Sequence, residues 1–286
     1  MVSSRKQKLF GIIGGSLGHS LSPLIHNYLF RRFRLDYCYT KFEIEHTQIA
    51  KIIDSIRTLN ISGANVTFPY KEKLIPYLDK LDKTSQTTGA VNTIKNSHGK
   101  LTGYNTDLFG IRATLQNRLN INLKGQTILL LGAGGAARAC LVELIRQKPK
   151  RIIVANRDFA RAESIISRTR ISGNNTDIRA IDIHGINNPE YMERLSLLAN
   201  STSADPSFLS GVIRKLARNR FHRDMKIFDL NYGRRALPES CRKYPIRYID
   251  GLYMLTAQAA AGFRIWTGIK VEPDDIYKYV SKKIAG

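Results

Sequence analysis

Cysteine, tryptophan and long apolar runs are scarce in this chain, which has three cysteines and one tryptophan among 286 residues. Cys38, Cys140 and Cys241 are widely separated, and their spacing matches neither a metal site nor a closed set of disulfides. We therefore expect reduced thiols, a cytoplasmic location and no bound metal. No apolar run is long enough to span a bilayer, and the N-terminus lacks the apolar stretch of a secretory signal, so we expect no membrane partner.

Acidic residues are also few, with 23 aspartates and glutamates against 45 lysines and arginines and a net charge of +22. Such a balance is typical of nucleic-acid-binding proteins. The basic residues are dispersed, however, and no zinc spacing, heptad pattern or RNA-binding aromatic motif accompanies them. We expect a solvated basic surface that attracts anionic ligands, with no nucleic acid as partner. A nucleotide-sensing or nucleic-acid-binding protein remains an alternative hypothesis.

A glycine turn near the middle of the chain is the most informative feature that is present. An apolar run at residues 128–131 leads directly into Gly132, and the spacing Gly-x-Gly-x-x-Ala follows. This pattern is typical of a strand that turns into a helix whose free backbone amides bind a dinucleotide pyrophosphate. The predicted coenzyme-binding residues at this turn are Gly132, Ala133, Gly134, Gly135 and Ala136.

The next apolar run, at residues 151–155, ends in Asn156 and Arg157, where an NAD-binding fold usually has an acidic residue for the ribose 2′-hydroxyl. A planar guanidinium suits a 2′-phosphate, and Arg161 lies one helical turn further on. We therefore predict NADP as the coenzyme, bound in part by Asn156, Arg157 and Arg161. Asp158 opposes this prediction because its charge would repel a 2′-phosphate, and both arginines could instead be ordinary surface charges.

Strands and helices alternate from the start of the chain, which predicts the α/β class. A strand at residues 9–13 precedes a helix that begins at Pro23, with Ser22 in the position of an N-cap. A strand at 63–67 ends before Pro69, so that Asn65, Thr67 and Lys71 gather near one strand end. A hairpin is expected over 90–104, further strands at 178–183, 197–200, 226–230 and 246–249, and two final helices at 252–266 and 274–284.

The ordered set of motifs along the chain resembles the shikimate dehydrogenase family over nearly the whole length. Besides the glycine turn and Asn156-Arg157, the motifs are His19-Ser20-Leu21-Ser22-Pro23, Asn65-Val66-Thr67-Phe68-Pro69-Tyr70-Lys71, Gly89-Ala90-Val91-Asn92-Thr93, Gly103-Tyr104-Asn105-Thr106-Asp107, Asp229-Leu230-Asn231-Tyr232, Met254-Leu255 and Gln258-Ala259-Ala260. The resemblance implies reversible reduction of 3-dehydroshikimate to shikimate by NADPH, without a metal, on the way to chorismate and the aromatic amino acids.

The resemblance also implies a domain organisation. Residues 1–107 would form an N-terminal α/β domain that binds substrate and carries the catalytic residues. Residues 108–250 would form a Rossmann-type, doubly wound dinucleotide domain, and residues 251–286 would return as helices to the substrate domain. Oligomeric state is left open between monomer and homodimer.

Within this resemblance Lys71 is the expected proton donor and acceptor, and Asp107 the residue that pairs with it and fixes a substrate hydroxyl. A helix starting after Pro69 would place its positive end near Lys71 and favour release of the proton, while Asp107 would oppose release. His19 and His26 are expected to be structural. The remaining predicted site residues are Ser20, Ser22 and Tyr232 for the substrate carboxylate, Asn65, Thr67, Asn92 and Gln258 for its hydroxyls, and Leu230 and Gly251 for the coenzyme.

Several positions depart from the family pattern, among them Asp158, where the family often has threonine, and Tyr253 in the turn that follows Gly251. Neither is the proposed proton donor. They leave a second enzyme hypothesis open, a quinate/shikimate dehydrogenase with relaxed use of NAD and NADP.

Overall fold

The computed structural model describes residues 7–169, 175–187, 195–202, 206–217, 225–233 and 246–285. The chain forms two compact units, and each is described by itself. The first unit runs to Phe109 and resumes at Thr256, whereas the second comprises Gly110–Leu255. This architecture confirms the predicted α/β class, with two sheets that are each covered by helices.

The first unit contains a mixed sheet with strand order β2-β1-β3-β5-β6-β4. Strands β1, β2 and β3 pair in parallel, while β5 is antiparallel to both of its neighbours. The elements are β1 (Lys8–Gly14), α1 (Ser22–Arg32), β2 (Tyr37–Glu43), α2 (Ile49–Thr58), β3 (Gly63–Val66), β4 (Lys80–Leu81), α3 (Lys83–Thr88), β5 (Thr93–Ser97), β6 (Lys100–Tyr104), α4 (Asp107–Thr114), α8 (Leu252–Thr267) and α9 (Pro273–Ala285), of which α4 and α8 each cross a unit boundary.

An apolar core holds α2 against the first sheet. The helix contributes Ile49, Ile53 and Ile56, which recur at the spacing of one helix face, and they cluster with strand residues such as Val66 and Ile94. A second, aromatic cluster includes Phe10 of β1, Phe30 and His26 of α1, Tyr39 of β2 and Trp266 of α8. Two apolar clusters thus order the strands that carry the polar residues described below.

The second unit is built on a parallel sheet with strand order β12-β11-β10-β7-β8-β9. Its first strand, β7, is almost entirely buried, as expected for a strand covered on both faces. The order reverses between β7 and β10, and ligands bind at such switch points beyond the strands' carboxyl ends. The elements are β7 (Thr127–Leu131), α5 (Gly135–Arg146), β8 (Arg151–Asn156), α6 (Phe159–Arg168), β9 (Asp177–Asp182), β10 (Leu195–Asn200), α7 (Pro206–Ala217), β11 (Lys226–Asp229) and β12 (Arg247–Ile249).

One predicted helix start is wrong in detail. Helix α1 begins at Ser22 itself, and Leu21 occupies the capping position without any side-chain hydrogen bond. Pro23 therefore lies in the first turn, as expected, but Ser22 is not an N-cap. Its hydroxyl is left to interact with other side chains. In the part of the chain that the structure describes, no helix combines the length and apolar character needed to cross a membrane.

Candidate active site

An ion pair between Lys71 and Asp107 lies at the centre of the first unit's polar cluster. Lys71 Nζ is 2.7 Å from Asp107 Oδ2, with 18% of the lysine side chain and 5% of the aspartate side chain exposed. The backbone carbonyl of Lys71 accepts a hydrogen bond of 2.7 Å from Val91 N. Lys71 is thus anchored at both ends, and its ammonium keeps partial access to solvent.

Lys71 does not lie at the start of a helix. Residues 71–74 form turns, and Tyr70 N closes the preceding turn onto Thr67 O at 2.9 Å. The helix-dipole argument for release of the lysine proton therefore does not apply. Pro69 stops the strand as expected, and the first helical turn after it is a short 3₁₀ helix at Ile75–Tyr77, beyond Lys71. The charged group in contact with Lys71 is Asp107.

Asn92 holds the second carboxylate oxygen of Asp107. Its Nδ2 donates to Asp107 Oδ1 at 2.7 Å, and its Oδ1 accepts from the backbone N of Thr106 at 2.8 Å. Asp107 is the first residue of α4, where a negative charge is favoured by the helix dipole. The carboxylate is therefore oriented by Lys71 on one oxygen and by Asn92 on the other.

Gln258 joins the same cluster from α8, far away in the chain. Its Oε1 accepts from Thr106 Oγ1 at 3.2 Å and lies 3.5 Å from Asn92 Nδ2. Gln258, Thr106 and Asn92 are all buried. The structure thus brings together four of the predicted side chains, Lys71, Asn92, Asp107 and Gln258, in one hydrogen-bonded group.

Asn65 is connected to the group through the backbone of Asn92. Its Nδ2 donates to Asn92 O at 3.2 Å and to Thr93 Oγ1 at 3.1 Å, and its Oδ1 accepts from the phenol of Tyr39 at 2.6 Å. Both amide hydrogens of Asn65 are used within the protein, so this side chain can offer a ligand only a remaining acceptor lone pair. The sequence predicts that Asn65 contacts a substrate hydroxyl, and in this structure it could do so only as an acceptor.

Tyr39 is a residue of this cluster that the motifs do not indicate. Its ring is buried and stacks on His26 with centroids 4.6 Å apart. Burial raises the pKa of the Tyr39 phenol well above its ordinary value, although a hydrogen bond with Ser22 opposes the shift, so the phenol remains a donor. Because Tyr39 precedes Asn65 by 26 residues, no local pattern could have paired them.

His26 fits the structural role expected for it. It is fully buried, and burial lowers the pKa of His26 to about 3 despite a favourable interaction with Asn65. The imidazole is therefore neutral at ordinary pH and packs as an aromatic ring. His19, in contrast, is exposed in the loop that precedes α1.

The remaining predicted substrate residues are less closely connected. Ser22 N lies 3.4 Å from Ser20 Oγ, so the two serines are adjacent in one turn. Thr67 is half-buried, and its methyl group would lie 2.7 Å from a Cβ at Gly14. No hydrogen bond within the described ranges joins the hydroxyls of Ser20 or Thr67 to Lys71 or Asp107. Tyr232 belongs to the second unit.

The glycine turn of the second unit has the predicted strand-turn-helix geometry. Gly132 has φ of +102°, and a Cβ there would lie 2.6 Å from Ser201 Oγ, so only glycine fits. Gly134 is the N-cap of α5, and a Cβ there would meet no atom within 4 Å. Gly135 and Ala136 are the first residues of α5, so their backbone N–H groups have no partner within the helix. Ala133 lies between the two glycines of the turn. Open space above helix amides is the arrangement that accommodates a pyrophosphate.

Two arginines follow the second strand of this unit, as predicted. Arg157 is exposed beyond the end of β8, and Arg161 Nε donates to the carbonyl of Ala133 at 3.1 Å. Asp158 is the N-cap of α6 and accepts from Arg161 N at 3.1 Å, while Asn156 Nδ2 donates to Asp158 O at 2.9 Å. The carboxylate of Asp158 thus has a local structural role that the sequence comparison with the family did not reveal.

The last two predicted coenzyme residues, Leu230 and Gly251, are in contact. A Cβ at Gly251 would lie 2.1 Å from Leu230 O, and Gly251 N donates to Asn231 O at 2.8 Å. Asp229 orders this segment by accepting from Asn200 Nδ2 at 2.9 Å and from Asn231 Nδ2 at 2.8 Å. Burial raises the pKa of Asp229, and these hydrogen bonds oppose the rise.

Taken separately, the two units offer complementary chemistry. The first presents a lysine ammonium paired with a buried carboxylate, which suits proton transfer to and from a substrate oxygen. The second presents glycine-lined helix amides and two arginines, which suit a phosphorylated dinucleotide. Among the residues that the structure describes, no group of three or more histidine, cysteine or acidic side chains could hold a metal ion.

Comparison with known protein families matches three consecutive parts of the chain. Residues 12–94 match the shikimate dehydrogenase substrate binding domain, residues 114–242 match shikimate / quinate 5-dehydrogenase, and residues 251–278 match the shikimate 5′-dehydrogenase C-terminal domain. A Pyrococcus abyssi protein named shikimate dehydrogenase (NADP(+)) is 37% identical over 265 residues, which cover 92% of this chain and 93% of that protein.

Solved structures give the same result. A crystal structure of a shikimate dehydrogenase in complex with NADP+ superposes with a TM-score of 0.80 and 32% identity, covering 98% of this chain and 96% of that one. A Listeria monocytogenes shikimate 5-dehydrogenase in complex with shikimate and NAD has a TM-score of 0.79 and 28% identity, covering 96% of each chain.

Proposed function

This chain belongs to the shikimate dehydrogenase family, and we propose on that premise that it catalyses the reversible NADPH-dependent reduction of 3-dehydroshikimate to shikimate. This oxidoreductase step leads toward chorismate and the aromatic amino acids. The observation that carries the proposal is the 2.7 Å contact of Lys71 Nζ with Asp107 Oδ2, because a protein that only binds a nucleotide has no use for a paired proton donor.

In the proposed reaction Lys71 donates a proton to the substrate oxygen as the carbonyl carbon is reduced. NADPH, when bound, supplies the hydride. Asp107 keeps the ammonium in place and, through its second oxygen and Asn92, keeps a fixed orientation itself. In the reverse direction Lys71 accepts the proton of the hydroxyl that is oxidised, and its 18% exposure allows the proton to exchange with solvent.

Substrate recognition is proposed to depend on neutral donors at one end and on the amide cluster at the other. Ser20, Ser22 and Tyr232 would donate to the carboxylate of the substrate. Thr67, Asn92, Asp107 and Gln258 would contact its hydroxyls, with Asn65 limited to accepting. Because Asn92 already uses its amide group on Thr106 and Asp107, we propose that it acts mainly by holding Asp107.

Coenzyme binding is proposed for the glycine turn and the segments beside it. The amides of Gly134, Gly135 and Ala136 would face the pyrophosphate, and Gly132 with Ala133 would let it approach. Arg157 and Arg161 would bind the 2′-phosphate, with Asn156 beside the ribose. Leu230 and Gly251 would border the nicotinamide. We accordingly propose residues 1–107 as the substrate domain, 108–250 as the NADP domain and 251–286 as returning helices.

The experiment that tests the proposal is a matrix of initial rates, with shikimate and quinate each combined with NADP+ and NAD+. We expect the highest kcat/KM for shikimate with NADP+. Comparable rates with quinate or with NAD+ would favour the relaxed quinate/shikimate dehydrogenase, for which Asp158 is the motivating residue. Absence of reduction of both coenzymes with both substrates would contradict the proposed enzyme and favour a binding protein.

Location and assembly are proposed only in outline. We propose a cytoplasmic enzyme because its three widely separated cysteines suit a reducing compartment, and we propose a monomer or a homodimer. Light scattering on the purified protein distinguishes the two assemblies, and fractionation of the source cells checks the location.

A further inference from the structure

The loop at residues 15–21, which joins β1 to α1 and carries Ser20, is attached to the edge strand β2. We propose that Glu43 and Lys41 of β2 are positioning residues that hold this loop in the shape that presents Ser20 and Ser22 to the carboxylate of the substrate. This inference rests on the proposed function, since it concerns the same binding site. It concerns two charged residues that belong to none of the motifs.

Strand register places Glu43 beside the start of the loop. Strands β1 and β2 are parallel, with Gly14 opposite Glu43 and Ile12 opposite Lys41. The carboxyl end of β2 therefore lies next to the carboxyl end of β1, where the loop begins. Residues 39, 41 and 43 share one side of β2 by the alternation of strand side chains, and Tyr39 on this side contacts Asn65.

Glu43 makes a short hydrogen bond to the backbone of the loop. Leu17 N donates to Glu43 Oε1 at 2.6 Å. A bond from an amide to an ionised carboxylate is stronger than one between neutral groups. Leu17 is also fixed by packing, since it is only 2% exposed and its side chain would lie 2.6 Å from a Cβ at Gly14.

Lys41 binds the next residue of the loop. Its Nζ donates to Gly18 O at 3.1 Å, so β2 contacts consecutive residues, with its carboxylate on an N–H and its ammonium on a carbonyl. The bond of Lys41 is exposed and is expected to be the weaker of the two. The positive charge of Lys41 also offsets the negative charge of Glu43, which would otherwise repel an anionic substrate.

Displacement of Leu17 would be transmitted directly to the serines. Ser20 N donates to Leu17 O at 3.0 Å, and Ser20 Oγ accepts from Ser22 N at 3.4 Å. The loop itself is glycine-rich, and a Cβ at Gly18 would meet no atom within 4 Å, so packing at that position does not restrain it. Glu43 is therefore suited to limiting the conformations that the loop samples before the substrate binds.

The test is a comparison of Glu43→Ala, Glu43→Gln and Lys41→Met with the wild-type enzyme, using shikimate and NADP+. For Glu43→Ala we expect KM for shikimate to rise about tenfold, with kcat and KM for NADP+ within about twofold of wild type. Glu43→Gln keeps an acceptor for Leu17 N and should recover most of the loss. Lys41→Met should raise KM by about twofold to threefold. Glu272→Gln, which removes an exposed carboxylate paired with Lys270, is the matched control and should leave KM unchanged.

A double-mutant cycle distinguishes positioning from general destabilisation. If Glu43 acts through the serines, Glu43→Ala should add much less than tenfold to the KM of Ser22→Ala. Three results would each overturn the inference. The first is that the effects of Glu43→Ala and Ser22→Ala on KM for shikimate are additive, and the second is an unchanged KM in Glu43→Ala. The third is a fall of kcat in which KM for shikimate and KM for NADP+ change equally. Should Glu43→Ala not fold, the same cycle is run with Lys41→Met and shikimate binding is measured by calorimetry, where unchanged affinity overturns the inference. Wild-type protein that neither turns over nor binds shikimate would contradict the proposed function instead.

Discussion

The candidate binding sites of the two units are built from different parts of the chain, side chains in the first unit and backbone amides in the second. In the first, the candidate site consists of side chains that bind one another, with the half-buried Lys71 and the buried Asp107, Asn92 and Gln258 in one hydrogen-bonded group. In the second, the candidate phosphate site consists largely of backbone amides around Gly132 and Gly134. Proton transfer requires particular functional groups, whereas phosphate binding requires a backbone shape. We therefore expect substitutions in the first unit to act on chemistry and those in the second to act on affinity.

The largest effect is expected from Lys71→Met, which removes the proposed proton donor and leaves an aliphatic chain of similar length. We predict that kcat falls by on the order of 10³-fold while the Kd for NADP+ stays within about twofold. Steady-state rates and coenzyme fluorescence measure the two quantities. Lys73→Met, two residues away on an exposed side chain, is the control and should keep the wild-type rate. A Lys71→Met enzyme that retained most of its turnover would refute the assignment.

Two glycine substitutions in the second unit distinguish a glycine that the backbone conformation requires from a glycine that leaves space for the ligand. Gly132→Ala places a Cβ near Ser201 Oγ at φ of +102°, so we predict lower thermal stability and coenzyme affinity reduced by about 10- to 100-fold. Gly134→Ala meets no protein atom and should weaken coenzyme binding while leaving the melting temperature unchanged. Calorimetry with NADP+ and with shikimate should show that shikimate binding survives both changes. Equal behaviour of the two variants in thermal unfolding would contradict this difference.

His26 makes the stability of the first unit depend on pH, whereas the glycine turn of the second unit has no titratable side chain. In the folded protein the pKa of His26 is about 3, so its imidazole is neutral above that pH. In the unfolded chain the pKa of His26 is the ordinary 6.5. The unfolded state thus binds the extra proton as the pH falls, and stability is lost below pH 6.5. Between pH 7 and pH 5 we predict a loss of about 2 kcal/mol in the free energy of unfolding from this residue.

The measurement compares denaturant unfolding of wild type and His26→Phe at both pH values. Phenylalanine can still stack on Tyr39, which stays uncharged because burial raises the pKa of its phenol. The variant should lose about 2 kcal/mol less than wild type on acidification. His98→Asn, at an exposed turn, should keep the wild-type pH dependence. The same loss in His26→Phe and wild type would show that another group is responsible.

The smallest effect is expected at Asp158. Asparagine is an equally good N-cap, so Asp158→Asn should keep the stability of the second unit and remove one negative charge beside Arg157 and Arg161. We predict that the preference for NADP+ over NAD+, measured as a ratio of kcat/KM values, rises by about threefold to fivefold. Asp158→Ala removes the cap as well and should cost about 1 kcal/mol of stability. A preference that falls in Asp158→Asn would mean that the carboxylate assists NADP+ binding.

Sequence patterns predicted the second unit better than the first. The apolar run into Gly132, the helix after it and the strand before Asn156 are local features, set by neighbouring residues, and all occur as expected. The predicted hairpin is present as β5 and β6, although its first strand begins at Thr93 and not at residue 90. The predicted N-cap at Ser22 is wrong, and no helix starts at Lys71, because helix starts depend on which hydrogen bonds the surroundings offer.

The sequence by itself determined the fold class, the glycine turn and the types of chemistry available, because strand periodicity, glycine conformation and side-chain functional groups are properties of short segments. Only the tertiary structure decided how those groups pair. It brought Gln258 to Thr106 across 152 residues and placed the phenol of Tyr39 on Asn65. Such pairings depend on sheet register and helix packing, which connect residues that no local spacing relates.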